Sequence, residues 1–177
     1  ERDRVMTALI ELMLTELFEL KMVQTDPNFA NYQYRAETGE IILLDFGATR
    51  HFKTSFVNNY KKLLVAAVAG DEARISAAAN RLGYSMGEDD SEYRALILEL
   101  FPLALEPLCV DEVYDFSRSD IPARMSVLGD SIKEFSEFWQ APPTDAVYFH
   151  RKLGGMFLLA SRLKARINVY QLIDHLI

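Results

Sequence analysis

Cysteine is nearly missing from this chain: Cys109 stands alone among 177 residues. One thiol cannot close an internal disulfide. The three histidines, His51, His150 and His175, are too scattered for the common zinc arrangements. Cys109 reads as a small, partly buried apolar residue rather than a nucleophile. Long apolar runs are missing too, with no stretch reaching the roughly 18 residues that a membrane-spanning helix needs. The start, Glu1-Arg2-Asp3-Arg4, is not a signal peptide, so any targeting sequence is expected upstream of residue 1. These features point to an intracellular or organelle-matrix protein. Positive charge is in deficit, since 19 Lys and Arg against 26 Asp and Glu give a formal net charge of -7. That balance argues against nucleic acid as a partner, because a phosphate backbone needs clustered Lys and Arg. It also offers little to anionic lipid, except through a local basic patch that would allow peripheral membrane contact.

What remains is ordinary globular composition, half hydrophobic and a quarter charged. The length suits one domain, 1–177, with a real hydrophobic core. The segment 4–23 contains no Gly or Pro and carries Val5, Met6, Leu9, Ile10, Leu12, Met13, Leu14, Leu17, Phe18 and Leu20. Apolar residues on most faces predict a helix buried in the middle of a domain. Pro27 ends it. Residues 29–34 and 41–44 predict two strands around a turn at Glu37-Thr38-Gly39-Glu40, a small hairpin. From 54 to 177 the pattern is helical. Helices are expected from Thr54 or Ser55, as cap, to Ala69, and from Asp71, as cap, to Leu82, closed by Gly70 and Gly83 respectively. Others are expected over 91–105 with a kink at Pro102, over 121–139, over 145–166 and over 169–176, with a loop at 109–120. The fold class is therefore mainly α with a small β-hairpin.

Within 24–50 lies the strongest chemical signal. Gln24-Thr25-Asp26-Pro27-Asn28-Phe29-Ala30-Asn31 is followed by Asp45-Phe46-Gly47 at the end of an apolar strand. An Asp-x4-Asn loop and a strand-borne Asp-Phe-Gly are how kinase-like folds set a base and two magnesium ligands around a triphosphate. In that reading Asp26 accepts or orients the proton of the attacking hydroxyl. Asn31 and Asp45 are the metal ligands, and the nucleotide-binding set is Asn31, Asp45, Phe46 and Gly47. ATP and Mg²⁺ are the expected cofactors, and carboxylate and amide oxygens suit a hard cation. Each piece alone also has a local explanation, as a turn starter, a cap or a turn-stabilising amide. Their joint spacing after a buried helix favours the kinase-type site.

These segments, with Leu43-Leu44-Asp45-Phe46-Gly47-Ala48-Thr49-Arg50 and His150-Arg151-Lys152-Leu153-Gly154-Gly155, resemble the UbiB-type (AarF-domain) atypical kinases, nearest the coenzyme Q biosynthesis branch. The resemblance covers essentially the whole chain and implies a protein-kinase-like C-terminal lobe. It also implies ATPase or unorthodox kinase activity supporting ubiquinone synthesis, with lipid or quinone intermediates and a biosynthetic complex as partners. The implied location is the mitochondrial matrix or inner-membrane face in a eukaryote and the cytoplasmic membrane face in a bacterium. The lobe that precedes these motifs in a kinase is not among the 177 residues, so the chain alone is expected to bind ATP poorly. Lys21 ends a helix rather than sitting on a strand.

Departures from the protein-kinase pattern refine the expectation. Thr25 stands where many protein kinases carry the Arg that clamps a phosphorylated loop, and Asn28 where they carry a Lys on the γ-phosphate. Little chain separates Gly47 from the next helix, so a small or lipid-like acceptor, or water, fits better than a protein. The alternatives are a nucleotide-switched scaffold and, more remotely, an aminoglycoside- or choline-kinase-like phosphotransferase. Arg50 either meets phosphate or pairs with a core carboxylate. His150, Arg151 and Lys152 are read as starting a helix where cations oppose the dipole, which calls for a fixed internal partner or a partner surface. Gly154 and Gly155 read as close packing. Phe135, Phe138, Trp139, Tyr148, Phe149 and Phe157 read as core rather than a quinone pocket.

Overall fold

A computed structural model of the chain describes residues 1–84, 91–135 and 141–174. Helix α1, Arg2–Thr15, buries Met6, Leu9, Ile10, Met13 and Leu14. The chain then widens into a π turn, Glu16–Leu20, and Lys21 takes a left-handed conformation at φ 54. The helix expected to reach Val23 therefore stops short. Met22–Gln24 is instead strand β1, paired antiparallel with β4, Thr49–His51, in the register Met22 to His51 and Gln24 to Thr49. The apolar content of the segment favoured helix, and the strand partner, lying beyond the hairpin, carried no local signal.

The hairpin itself follows the sequence with shifted edges. Phe29–Asn31 is a 3-10 turn rather than strand, β2 is Tyr32–Arg35 and β3 is Glu40–Leu43. Gly39 at φ +77 makes the turn, a conformation open to glycine. Helix α2, Thr54–Val68, ends before Gly70 at φ 64, and α3, Glu72–Leu82, ends at Gly83 at φ 97. Asp71 caps α3 through Arg74 N–H at 3.0 Å. The cap expected of Thr54 or Ser55 is not formed, because both lie inside the first turn of α2 and Lys53 precedes it without a side-chain bond.

Helix α4, Ser91–Ala104, accommodates Pro102 near its end. The expected loop at 109–120 contains strand β5, Tyr114–Asp115, paired with β6, Arg166–Ile167. Helix α5 is Ile121–Glu134, ending at Phe135, and residues 136–139 of the helix expected to 139 lie outside the described residues, Phe138 and Trp139 among them. Helix α6, Thr144–Leu163, stops at Lys164 in a left-handed conformation, and the short α7 is Tyr170–Ile173. His175 and the end of the helix expected over 169–176 also lie outside the described residues.

Among the described residues the architecture is mainly helical with three small two-stranded sheets. One hydrophobic cluster joins α1, α2, α3 and α6. Of the aromatic set, Phe149 is buried against Phe52 and Tyr60, Phe157 meets Phe116, and Phe135 meets Tyr93, so these three belong to packing. Cys109 is half buried and its thiol is pushed up to about 11 by burial and the nearby Glu106, which makes it a poor nucleophile. No helix among the described residues is long and apolar enough to cross a membrane.

Candidate active site

Pairing of β1 with β4 brings the Asp26 loop and the Asp-Phe-Gly segment to the same end of the structure. The next contacts are made by side chains. Thr25 is buried, and both its N–H and its hydroxyl donate to the Ala48 carbonyl, at 3.2 and 2.8 Å. Gln24, also buried, spans the two segments. Its Nε2 donates to the Asp45 carbonyl at 2.6 Å and its Oε1 accepts the Asp26 N–H at 2.8 Å. One side chain therefore fixes the backbone of both aspartates.

Asn31 Nδ2 donates to Asp26 Oδ2 at 3.0 Å, and the Asn31 carbonyl accepts Leu44 N–H at 2.9 Å. The other Asp26 oxygen, Oδ1, receives Arg151 Nη2 at 3.1 Å. The Asn31 amide, as the largest cause, holds the Asp26 carboxyl below the usual carboxylate range; desolvation opposes it and Arg151 adds to it. Asp45 is exposed and accepts Gly47 N–H on Oδ1 at 2.7 Å. Asn28 accepts Ala30 N–H at 3.1 Å and so caps the 3-10 turn.

The donor set suits magnesium. An aspartate carboxylate and an amide oxygen are hard ligands, and magnesium is commonly held by one or two carboxylates with phosphates and water completing the shell. The Asn31 amide nitrogen is spent on Asp26, so only its oxygen could serve a cation. Among the described residues no cluster of three or more acidic, His or Cys side chains forms a self-sufficient metal cage.

The basic trio on α6 finds internal partners in all three cases. These residues sit in the second turn or beyond rather than at the helix start. His150 stacks on Tyr84 and meets Tyr60 edge-on, with its pKa lowered to about 4 by burial. Arg151 reaches Asp26. Lys152, almost fully buried, lies 3.9 Å from Glu16 Oε2 and donates to the Tyr32 hydroxyl. Burial raises the Glu16 pKa and lowers that of Lys152, while each opposes the other's shift. Glu16 sits on the π turn and accepts Gln24 N–H at 3.4 Å, so the ion pair supports the floor of the loop.

Arg50 is committed elsewhere. It lies 3.5 Å from Asp145 and 3.9 Å over the Tyr148 ring, both on α6. Gly155 is where α6 touches the loop, since a Cβ there would come 2.0 Å from Pro27 Cβ. Sequence reading did not single out Gln24, Glu16 or the individual role of Lys152. A buried-type Glu and Lys on two mostly apolar helices was the available signal.

Comparison with known proteins fits this geometry. Residues 1–79, which contain the whole Asp26–Asp45 region, match the ABC1 atypical kinase-like domain. The rat atypical kinase COQ8B, mitochondrial, is 34% identical over 94% of this chain and 31% of its own length. The atypical kinase COQ8, mitochondrial, of Saccharomyces cerevisiae is 32% identical over 93% of this chain and 33% of its own length. The chain belongs to the ABC1, or UbiB-type, atypical kinase family. It spans about a third of the length of these relatives. The structure of Rv3197 from Mycobacterium tuberculosis, solved as an erythromycin complex, superposes with a TM-score of 0.73 at 19% identity, covering 99% of this chain and 43% of that one. That likeness establishes the fold, a protein-kinase-like C-terminal lobe.

Proposed function

We propose that the chain is the magnesium- and nucleotide-binding lobe of an atypical kinase or ATPase that supports coenzyme Q synthesis. The observation that carries this reading is the hydrogen-bonded set in which Asn31 holds the Asp26 carboxylate and Gln24 joins Asp26 to Asp45. Asn31 and Asp45 would hold magnesium, which when bound neutralises phosphate charge. Asp26 would take or orient the proton of the attacking hydroxyl, its low pKa suiting orientation more than strong basicity.

The partner that completes the nucleotide site is the N-terminal lobe of the same protein. Leu20, Met22, Leu44 and Phe46 are large apolar residues left half or more exposed beside the site, a rim suited to such a cover. The short chain between Gly47 and α2, which begins at Thr54, favours a small or lipid-like acceptor, or water, over a protein. Given the mitochondrial names of the rat and yeast relatives, the proposed location is the inner-membrane face in a eukaryote, or the cytoplasmic membrane face in a bacterium. The second reading, a nucleotide-switched scaffold, draws on Asn28, which offers no charge to a γ-phosphate.

Two substitutions in the full-length protein separate these readings. Asp26→Asn is expected to abolish ATP turnover while keeping Mg²⁺-nucleotide binding, and Asp45→Asn to lose both. Full complementation of coenzyme Q synthesis by a turnover-dead Asp26→Asn variant would sink the enzymatic reading.

A further inference from the structure

Phosphoryl transfer concentrates negative charge on the moving group, and enzymes meet it with a preorganised cation. The Asp26 loop contains no such cation: Gln24 to Asn31 holds no Lys or Arg, and the Asn28 side chain is spent on Ala30 N–H. Three other bases near the loop have contacts of their own, Arg162 lying 5.7 Å from the Phe29 ring centroid. Arg50 is held by Asp145 and Tyr148, and Lys152 is buried with Glu16 and Tyr32.

Arg151 differs from both. Its side chain is 53% exposed, and Nη2 reaches Asp26 Oδ1 at 3.1 Å from a helix 125 residues further along the chain. A guanidinium carries five N–H donors in a planar fork, so one bond to Asp26 leaves donors free for phosphoryl oxygens.

We propose that Arg151 is a catalytic residue that supplies, from α6, the positive charge to the transferred phosphoryl group that Asn28 does not. The inference rests on the phosphotransfer reading above. In the step, the bond between the terminal phosphorus of a nucleoside triphosphate and its bridging oxygen breaks, and its electron pair leaves with the diphosphate. The acceptor, a hydroxyl or water oxygen, bonds to phosphorus and gives up its proton beside Asp26. Arg151, one hydrogen bond from Asp26, donates to the equatorial oxygens and pins the carboxylate at once. The charge therefore arrives from a distant helix rather than from the loop.

The test uses the full-length protein with Arg151→Gln and Arg151→Lys, measuring ATP turnover and the affinity for ADP with and without aluminium fluoride in magnesium buffer. For the Gln variant the expected result is a loss of kcat on the order of 10²-fold. Its ADP affinity is expected to stay unchanged while the tightening by aluminium fluoride disappears. The Lys variant, keeping charge without the fork, is expected to fall between the Gln variant and wild type. Wild-type turnover in the Gln variant overturns the inference, as does loss of turnover together with ADP affinity, or a Lys variant no better than Gln. If Asp26→Asn and Asp45→Asn lose no turnover, the underlying phosphotransfer reading fails. If they lose it and Arg151→Gln does not, only the role of Arg151 fails.

Discussion

Gly155 on α6 packs directly on Pro27, so closely that a Cβ on the glycine would lie 2.0 Å from Pro27 Cβ. Its neighbour Gly154 faces nothing within 4 Å. The two glycines therefore predict opposite outcomes. Gly155→Ala must push the loop or the helix aside, an overpacking that costs about 1–3 kcal/mol, and Pro27 carries Asp26 with it. Gly154→Ala adds a methyl group to open space in a helix and is expected to stabilise by up to about 1 kcal/mol. Denaturant unfolding and ATP turnover on the two variants check this, and equal behaviour would contradict the packing account.

Lys152 and Glu16 form a buried pair, their side chains 2% and 8% exposed. Removing one partner strands the other's charge. Lys152→Met is expected to destabilise by about 3–5 kcal/mol. Adding Glu16→Gln is expected to recover a large part of that loss, since no uncompensated charge then remains. A double-mutant cycle on unfolding free energy measures the coupling, and additive effects would count against a buried ion pair.

His150 makes stability pH-dependent. Its pKa falls from the ordinary 6.5 to about 4 through burial, facing Tyr60 and Tyr84, whose own pKa values are raised by burial so that both stay neutral over this range. The unfolded chain takes up the proton at higher pH than the folded one. The contribution is therefore full above 6.5 and lost progressively as pH falls toward about 4, amounting to about 3 kcal/mol. Thermal unfolding against pH should show a slope in this window that flattens in His150→Phe. An unchanged slope would assign the pH dependence to other groups.

Much of this was legible in the sequence because it is local. The hairpin turn at Gly39, the Asp71 cap and the glycine stops at Gly70 and Gly83 are written within a few residues of where they act. The Asp26, Asn31 and Asp45 spacing was legible for the same reason. Strands β1 and β4 escaped notice because Met22–Gln24 carries helix-compatible apolar residues, and its partner lies across the hairpin. The short β5 lay in an expected loop and β6 at the end of an expected helix, with about fifty residues between the two partners. The internal partners of Arg50, Arg151 and Lys152 required knowing where α6 lies. The dipole argument placed His150, Arg151 and Lys152 at a helix start, whereas α6 begins at Thr144, so their partners come from tertiary packing instead.

The pairing of Met22–Gln24 with Thr49–His51 has a kinetic consequence. It closes a short loop of chain that contains Asp26, Asn31 and Asp45, and short closures cost little entropy and form early. Helix α6 arrives much later along the chain, 125 residues past Asp26 at Arg151. During synthesis the Asp26–Asp45 region is thus expected to take shape on a partly made chain, with Arg151 and Gly155 locking it only once α6 has emerged. An interruption between α3 and α6 would release a chain with Asp26, Asn31 and Asp45 grouped but unbraced.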